Sequence, residues 1–387
     1  MNYVFVSPNF PRGYSNFAVR LKEEGVNVLG LGQDRYDELN GDLKVALTEY
    51  YRVDNMDNYD EMLRAIGYFT HKYGKIDRLE SHNEHWLMQD ARLRTDFNIT
   101  GLKNGVMDNM KYKSKMKEVF RSCEIAVARG AVVTNAEEAL LLTAEYGYPV
   151  VVKPDMGVGA QDTMLLINDD TVADFFETRQ GRRYILEEFI EGEIVSYDGL
   201  TDQDGNVVFE SSFNFSSGIM DVVNSDLDVF YYTVKKVPED LALAGERAIK
   251  AFGLRERFFH MEFFRTKLGD LVALEVNIRP PGGYSVDMWN FANDIDMYRQ
   301  YAQVVARNTT DAHELGKYYC CYAGRKYTSQ YANSVDEVIY RYSSGTLFHG
   351  EMPRILSKAM GDYAFIFRVE EFEELKERVH FILEKKQ

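Results

Sequence analysis

Cysteine is scarce, with three among 387 residues. Cys320 and Cys321 are adjacent, a poor geometry for a shared structural zinc, and Cys123 stands alone. A disulfide framework is therefore not expected, and reduced thiols suit a cytosolic compartment. Long hydrophobic runs are missing too. No stretch approaches the roughly 20 apolar residues of a membrane-spanning helix, so a membrane partner is not expected. The opening MNYVFVSPNF has neither the basic start nor the small-residue cleavage site of a secretory leader, and it reads as a first strand. A cytoplasmic protein is the expectation. Positive charge is in deficit: 45 Lys and Arg stand against 61 Asp and Glu, a net charge of −16. That argues against a general nucleic-acid binder, which needs a basic face, but leaves room for a small anionic ligand in a local basic site. Internal repeats and low-complexity tracts are also lacking.

What is present is material for large cores, with 26 Tyr, 24 Phe and 45% hydrophobic residues. The chain is too long for one ordinary core, so two or three domains are expected. In the first hundred residues, strand-like YVFVS and VNVLGLG alternate with helical SNFAVRLKEEG and the 59–73 segment, where Met62, Ile66, Phe69 and Tyr73 recur at helical spacing. Such alternation predicts a parallel sheet with helices on its faces. GLG at 30–32 lacks the third glycine of a dinucleotide fingerprint and reads as a turn. Residues 111–130 read as a helix running into a short strand, and 135–146 as a helix stopped by Gly147. YPVVVKP reads as a buried strand, LALAGERAIKAFGL as an amphipathic helix, FFHMEFFRTKLGDLVALEVNIRP as a hairpin and Glu370–Glu384 as a helix. Boundaries fall near 105, 180 and 310.

Three stretches carry candidate chemistry. VVVKPDMGVGAQDT, 150–163, puts Lys153 at a strand end before a loop with Gly157 and Gly159, where backbone N–H groups can line up on phosphate. No G-K-[ST] follows, so this is not a Walker motif. ILEEFIEGEIVS, 185–196, mixes apolar and acidic residues as an interdomain connector or an exposed strand edge would. In ALEVNIRPPGG, 273–283, Glu275, Asn277 and Arg279 alternate and so share one face of an extended strand. With Glu262 on the other arm of the hairpin, Glu275 and Asn277 offer the hard oxygen ligands that Mg²⁺ takes beside phosphate and Arg279 a cation for a transferred phosphoryl group, the alternative being an exposed, charged strand face. SHNEHW, 81–86, holds His82, Glu84 and His85 without a fourth metal ligand near, and reads as solvated polar residues. Arg325 and Lys326 are either surface charges or a substrate-carboxylate site.

In their order, K-P…G-x-G, E-E-F-I-x-G-E and H-x-E-F…E-V-N-x-R-P-P-G-G resemble the ATP-grasp superfamily, in its carboxylate–amine ligase and biotin-carboxylase-like branch. The likeness covers roughly residues 1–310 and is strongest from 150 to 283. It implies an α/β chain, α+β in the grasp part. A parallel-sheet, substrate-side domain would span 1–105, a small grasp lobe 106–180, a large lobe with the metal site 181–310, and a C-terminal α+β segment 311–387. It implies that Lys153 contacts ATP, that 155–163 closes over the phosphates, and that Glu187, Glu188, Phe189 and Ile190 read adenine. Glu193 would hold the ribose, and Glu84, in a loop at the carboxyl edge of the first sheet, would meet a substrate amine. Glu262, Glu275 and Asn277 would ligate Mg²⁺, with Mn²⁺ as a substitute, and Arg279 would face the transferred phosphate. The family's upstream lysine falls in NMKYKSKMK as Lys111 or Lys115. Where relatives commonly have Asp directly before it, Asn109 and Met110 separate Asp108 from Lys111.

The implied reaction activates a carboxylate as an acyl phosphate for attack by an amine, giving an amide or peptide bond, ADP and phosphate. A kinase-type phosphotransferase, a bicarbonate-dependent carboxylase and a nucleotide-binding regulator are the alternatives. The partners would be small-molecule carboxylate and amine substrates and, as is common among relatives, a second copy of the chain.

Overall fold

The structure is a computed structural model that describes residues 1–157, 162–179, 181–216, 228–312 and 315–386. Its α/β architecture is the class expected from the sequence. β1 (Asn2–Val6), β2 (Asn27–Gly32), β3 (Glu49–Arg52) and β4 (Arg78–Glu80) form a parallel sheet in the order β3-β2-β1-β4. Alternate residues of β1 enter different cores: Val4 and Val6 pack with the 59–73 helix, and Tyr3 and Phe5 face Trp289, Tyr301 and Phe258. A parallel sheet covered on both faces has this pattern of uninterrupted apolar strands.

β5 (Gly130–Val133), β6 (Val150–Pro154), β7 (Met164–Leu166) and β8 (Tyr184–Glu188) make a small antiparallel sheet in the order β5-β8-β6-β7. The helices Ala136–Tyr146 and Asp169–Glu177 cover it. Each opens on an asparagine whose side chain accepts a backbone N–H of the first turn.

The third sheet has nine strands: β9 (Gly192–Thr201), β10 (Val207–Ser211), β11 (Phe213–Phe215), β12 (Val229–Thr233), β13 (Phe258–Thr266), β14 (Leu271–Asn277), β15 (Tyr319–Arg325), β16 (Thr346–Glu351) and β17 (Tyr363–Val369). Eight run in the order β14-β13-β9-β11-β12-β15-β17-β16, and β10 pairs with β9. Residues 319–369 thus continue the sheet that begins at Gly192. Behind it the helix Glu239–Phe252 crosses Tyr197 closely. A Cβ on Gly245 would lie 1.9 Å from the Tyr197 ring, so only glycine fits there.

Buried charges join the first sheet to the third. Arg94 donates to Glu80 at 2.9 Å, Arg257 lies 3.1 Å from the same carboxylate, and the Arg257 Nε donates to the Ile278 carbonyl. Burial pushes the Glu80 carboxyl up, but the two guanidiniums outweigh it and hold it at about 2. Beside them His82, at the carboxyl end of β4 with φ of 55°, packs among the rings of Phe5, Phe17, Phe258 and Tyr301.

Burial pulls the His82 imidazole down to about 4, with Glu80 opposing and Arg257 and Arg94 assisting. The unfolded chain takes this proton near its ordinary value and the folded chain does not. Stability from this group is therefore complete above about pH 6.5 and is lost as pH falls toward 4. Between pH 7 and 5 the loss is about 2 kcal/mol. Urea denaturation of the wild type and His82→Asn, a residue that tolerates positive φ, should show a shallower acid loss in the variant. Parallel curves would remove His82 as the cause.

Candidate functional site

The register of β9, β13 and β14 builds the floor of a cleft of about 540 Å³. Glu262 stands directly opposite Glu275, and His260 opposite Asn277. On the other side of β13, Ser196 pairs with Glu262 and Asp198 with His260. Residues paired across strands share a face. Two polar rows therefore lie side by side, Ser196–Glu262–Glu275 and Asp198–His260–Asn277. The alternating residues Tyr197, Met261 and Val276 go into the core behind.

Two carboxylates placed opposite one another repel unless positive charge is supplied. Lys113 Nζ lies 3.6 Å from Glu275, and Asn277 donates to it at 3.1 Å. Burial pushes the Glu275 carboxyl up, but Lys113, the Asn277 amide, Lys153 and His260 more than offset it, leaving it below the usual range. Burial likewise opposes charge on His260, yet Asp198 at 2.5 Å and Glu262 at 3.2 Å raise its pKa to about 10.

The roof comes from the small lobe. Glu187 on β8 is opposite Val151 on β6, so Lys153, two residues further, points to the same side. Lys153 and Lys117 each approach Glu187 at 2.8 Å, all three buried. Burial raises the Glu187 carboxyl, and the two ammonium groups bring it below its ordinary value. Gly130, on the neighbouring β5, allows this: a Cβ there would sit 2.7 Å from the Leu186 carbonyl and 2.9 Å from the Glu187 side chain.

Lys153, Glu187, Glu188, Phe189, Ile190, Glu193, Glu262, Glu275, Asn277 and Arg279 all line this one cleft. Glu188 is turned partly aside, its carboxylate held by Arg129 at 2.7 Å. β14 ends at Asn277, so the shared strand face covers Glu275 and Asn277, and Arg279 reaches the cleft from the turn that follows. Its guanidinium donates to the Pro280 carbonyl and lies 3.5 Å from Glu84. The Glu84 Oε2 is buried and has no hydrogen-bond partner, and its other oxygen accepts from Lys111 at 2.6 Å. Glu84 thus comes from the first sheet's edge to the rim beside Arg279.

The upstream lysine is corrected. Lys111 and Lys115 do not line the cleft, whereas Lys113 and Lys117 do. Tyr112, with ψ of 121°, separates the helix Asn104–Lys111 from the helix Lys113–Ser122, which leads on to β5 as the sequence suggests. The break resets the helical phase. Lys113 and Lys117, four residues apart, share the inward face, while Lys115 is exposed and paired with Glu118. Lys113 also donates to the Gly157 carbonyl at 3.2 Å. Asp155, fully buried, anchors the start of that loop by accepting from Ser114 and Arg183. Gly157 is not among the cleft's lining residues, and Gly159 lies outside the described residues.

Arg325 is also corrected. It is buried between the rings of Tyr331 and Phe365 and donates to the Ile382 carbonyl, tying the helix Phe372–Leu383 to β15 away from the cleft. His82 and His85 do not converge, since His82 is in the aromatic core and His85 lies 3.5 Å from Asp57. Lys113, Lys117, Asp198 and His260 were not singled out in the sequence. His260 stands inside the H-x-E-F motif, but only the β9 register reveals its partner.

Among the described residues no three His, Cys, Asp or Glu side chains form a closed metal cage. An Mg²⁺ site does not need one, because substrate phosphates and water complete its shell. Two facing carboxylates and an adjacent carboxamide are the hard-oxygen set such an ion takes.

A family model described as the ATP-grasp domain matches residues 146–287. The chain is 25% identical over 253 residues to the L-arginine-specific L-amino acid ligase of Bacillus subtilis, a match spanning 59% of this chain and 59% of that relative's length. Its structure is similar to that of an L-amino acid ligase from Bacillus licheniformis, with a TM-score of 0.74, 14% identity, and coverage of 98% of this chain and 96% of the other. It is also similar to N5-carboxyaminoimidazole synthetase from Staphylococcus aureus, with a TM-score of 0.72, 15% identity, and coverage of 99% and 97%. At such identities the structural likeness speaks to the fold. The family match adds the motifs of the cleft, and residues 146–287 of the chain carry the match to the ATP-grasp domain.

Proposed function

We propose that the chain is an ADP-forming carbon–nitrogen ligase that uses ATP and Mg²⁺ to join a carboxylate to an amine. The observation that carries this reading is the convergence, in one cleft, of Lys113, Lys117 and Lys153 with the facing pair Glu262–Glu275, Asn277 and Arg279. Three ammonium groups answer the charge of a triphosphate, and the connector Glu187–Ile190 offers backbone edges to a base, with Glu193 beside them for a ribose. Glu262, Glu275 and Asn277 would hold Mg²⁺, or Mn²⁺ in its place. When bound, the ion supplies neutralisation of phosphate charge.

The substrate carboxylate oxygen attacks the γ-phosphorus, and the bond to the β,γ-bridging oxygen breaks, releasing ADP. Arg279 holds the transferred phosphoryl group and balances the charge that spreads over its oxygens. The amine nitrogen then attacks the acyl carbon, and the carbon–oxygen bond to phosphate breaks. No side chain serves as nucleophile, so the chain contributes positioning, charge and exclusion of water. Glu84, whose Oε2 accepts no hydrogen bond and lies 3.5 Å from Arg279, would receive the amine substrate. The names of the relatives make amino acids the first substrates to test on both sides of the bond.

Residues 1–105 and 311–387 would select substrates, and 106–180 and 181–310 would close on the nucleotide. Among the described residues no helix is long and apolar enough to cross a membrane. A cytoplasmic homodimer completes the reading.

ADP release across pairs of amino acids and small carboxylic acids tests the function. Free phosphate with an amide product supports a ligase, a stable phosphorylated product a kinase, and bicarbonate-dependent ATP hydrolysis a carboxylase. Glu275→Ala and Asn277→Ala should each abolish ADP formation in a folded protein, and near-full activity in both would remove the metal assignment. Lys117→Met should weaken nucleotide binding about 10- to 100-fold, the worth of one charge-assisted hydrogen bond, with Lys115→Met near wild type. Equal effects from the two, read by fluorescent-nucleotide titration, would overturn the corrected lysine assignment.

A further inference from the structure

We propose that His260 is a positioning residue that fixes Glu262 for the cation, with Asp198 and Ser196 as its support. The inference rests on the metal-site reading above and deepens it. A continuous polar chain runs inward from the cleft floor. Glu262 Oε1 lies 3.2 Å from His260 Nε2, and His260 Nδ1 lies 2.5 Å from Asp198 Oδ1. Asp198 Oδ2 accepts from the Ser196 hydroxyl at 2.5 Å, and Ser196 in turn accepts the backbone N–H of Phe213 at 3.0 Å.

Both ring nitrogens face carboxylate oxygens, and an ionised carboxylate only accepts. The ring therefore bridges Glu262 and Asp198, one nitrogen to each. Asp198 and Ser196 are fully buried, and a charge in such a place persists only where it is paired. Among the described residues, His260 is the only side chain with a hydrogen-bond contact to Glu262. Glu275 has separate supports in Lys113 and Asn277. Removing the ring nitrogen that faces Glu262 would therefore free one of the two facing carboxylates and leave the other in place. With Oε1 engaged by His260, the second oxygen of Glu262 remains for a cation. A hydrogen-bonding group behind a ligating carboxylate orients it, the usual role of groups behind a metal ligand.

Two substitutions separate the ends of the imidazole. Asparagine in His260→Asn keeps an N–H near the Nδ1 position, toward Asp198, and gives up Glu262. Glutamine in His260→Gln reaches toward Glu262 and gives up Asp198. The readout is Mn²⁺ affinity by electron paramagnetic resonance on the full chain with a non-hydrolysable ATP analogue, beside the melting temperature and nucleotide affinity in EDTA. His260→Asn should bind Mn²⁺ about 10- to 100-fold more weakly while losing less melting temperature than His260→Gln, because it keeps a donor toward buried Asp198. His260→Gln should keep the tighter Mn²⁺ binding of the two and melt lower. Nucleotide affinity in EDTA should be unchanged in both. Wild-type Mn²⁺ affinity in His260→Asn would overturn the proposal, as would equal weakening in both variants. Mn²⁺ binding that Glu275→Ala leaves untouched would overturn the metal site itself, whatever the His260 variants do.

Discussion

Two carboxylates held opposite one another on adjoining antiparallel strands are the constraint around which the cleft is organised. Left alone, Glu262 and Glu275 would push β13 and β14 apart. Each instead has a polar or cationic neighbour within reach, His260 for Glu262, and Asn277 and Lys113 for Glu275. The same logic recurs in the roof, where Glu187 sits between Lys117 and Lys153. The site is thus a set of opposed charges compensated locally, with enough positive charge to receive a polyanion even though the chain is acidic overall.

Such a site needs a rigid frame, and the frame is shared between parts of the chain distant in sequence. Arg257 spans from Glu80 at the edge of the first sheet to the Ile278 carbonyl, next to Arg279. The phenolic oxygens of Tyr3 and Tyr301 meet at 2.9 Å across the same interface. Glu84 extends this junction to the guanidinium that faces the cleft. A substrate bound at the edge of the first sheet and a nucleotide held between the lobes would therefore meet at Arg279. Breaking a buried pair in this junction would leave an uncompensated charge, which is costly.

Much of this was legible before the structure. The 59–73 helix appears with the predicted bounds because its apolar residues keep one phase and Gly74 stops it. The hairpin of β13 and β14 was readable from two apolar runs around a glycine turn. The alternation of Glu275 and Asn277 put both on one face, since side-chain period in a strand is a local property. The helix and strand read in 111–130 are present as Lys113–Ser122 and Gly130–Val133, but the choice of Lys111 or Lys115 failed for an equally local reason. Nothing in the composition of NMKYKSKMK marks Tyr112 as an extended residue, and one break rotates every lysine after it. Arg325 was misjudged as a surface charge or a substrate contact because its burial depends on Phe365 and on the carbonyl of Ile382, both far from it in the chain.

The sequence by itself determined the periodicities, hence the elements, and the order of motifs that carries the family likeness. Those depend on neighbours within a few residues, where the covalent chain dictates spacing. Tertiary structure alone decided which lysines face inward, that His260 is clasped between Asp198 and Glu262, and that Glu84 lies beside Arg279. The pairing of β9 with β13 spans about sixty residues of intervening chain. Its register is set by which faces can be buried together, and no local pattern encodes that.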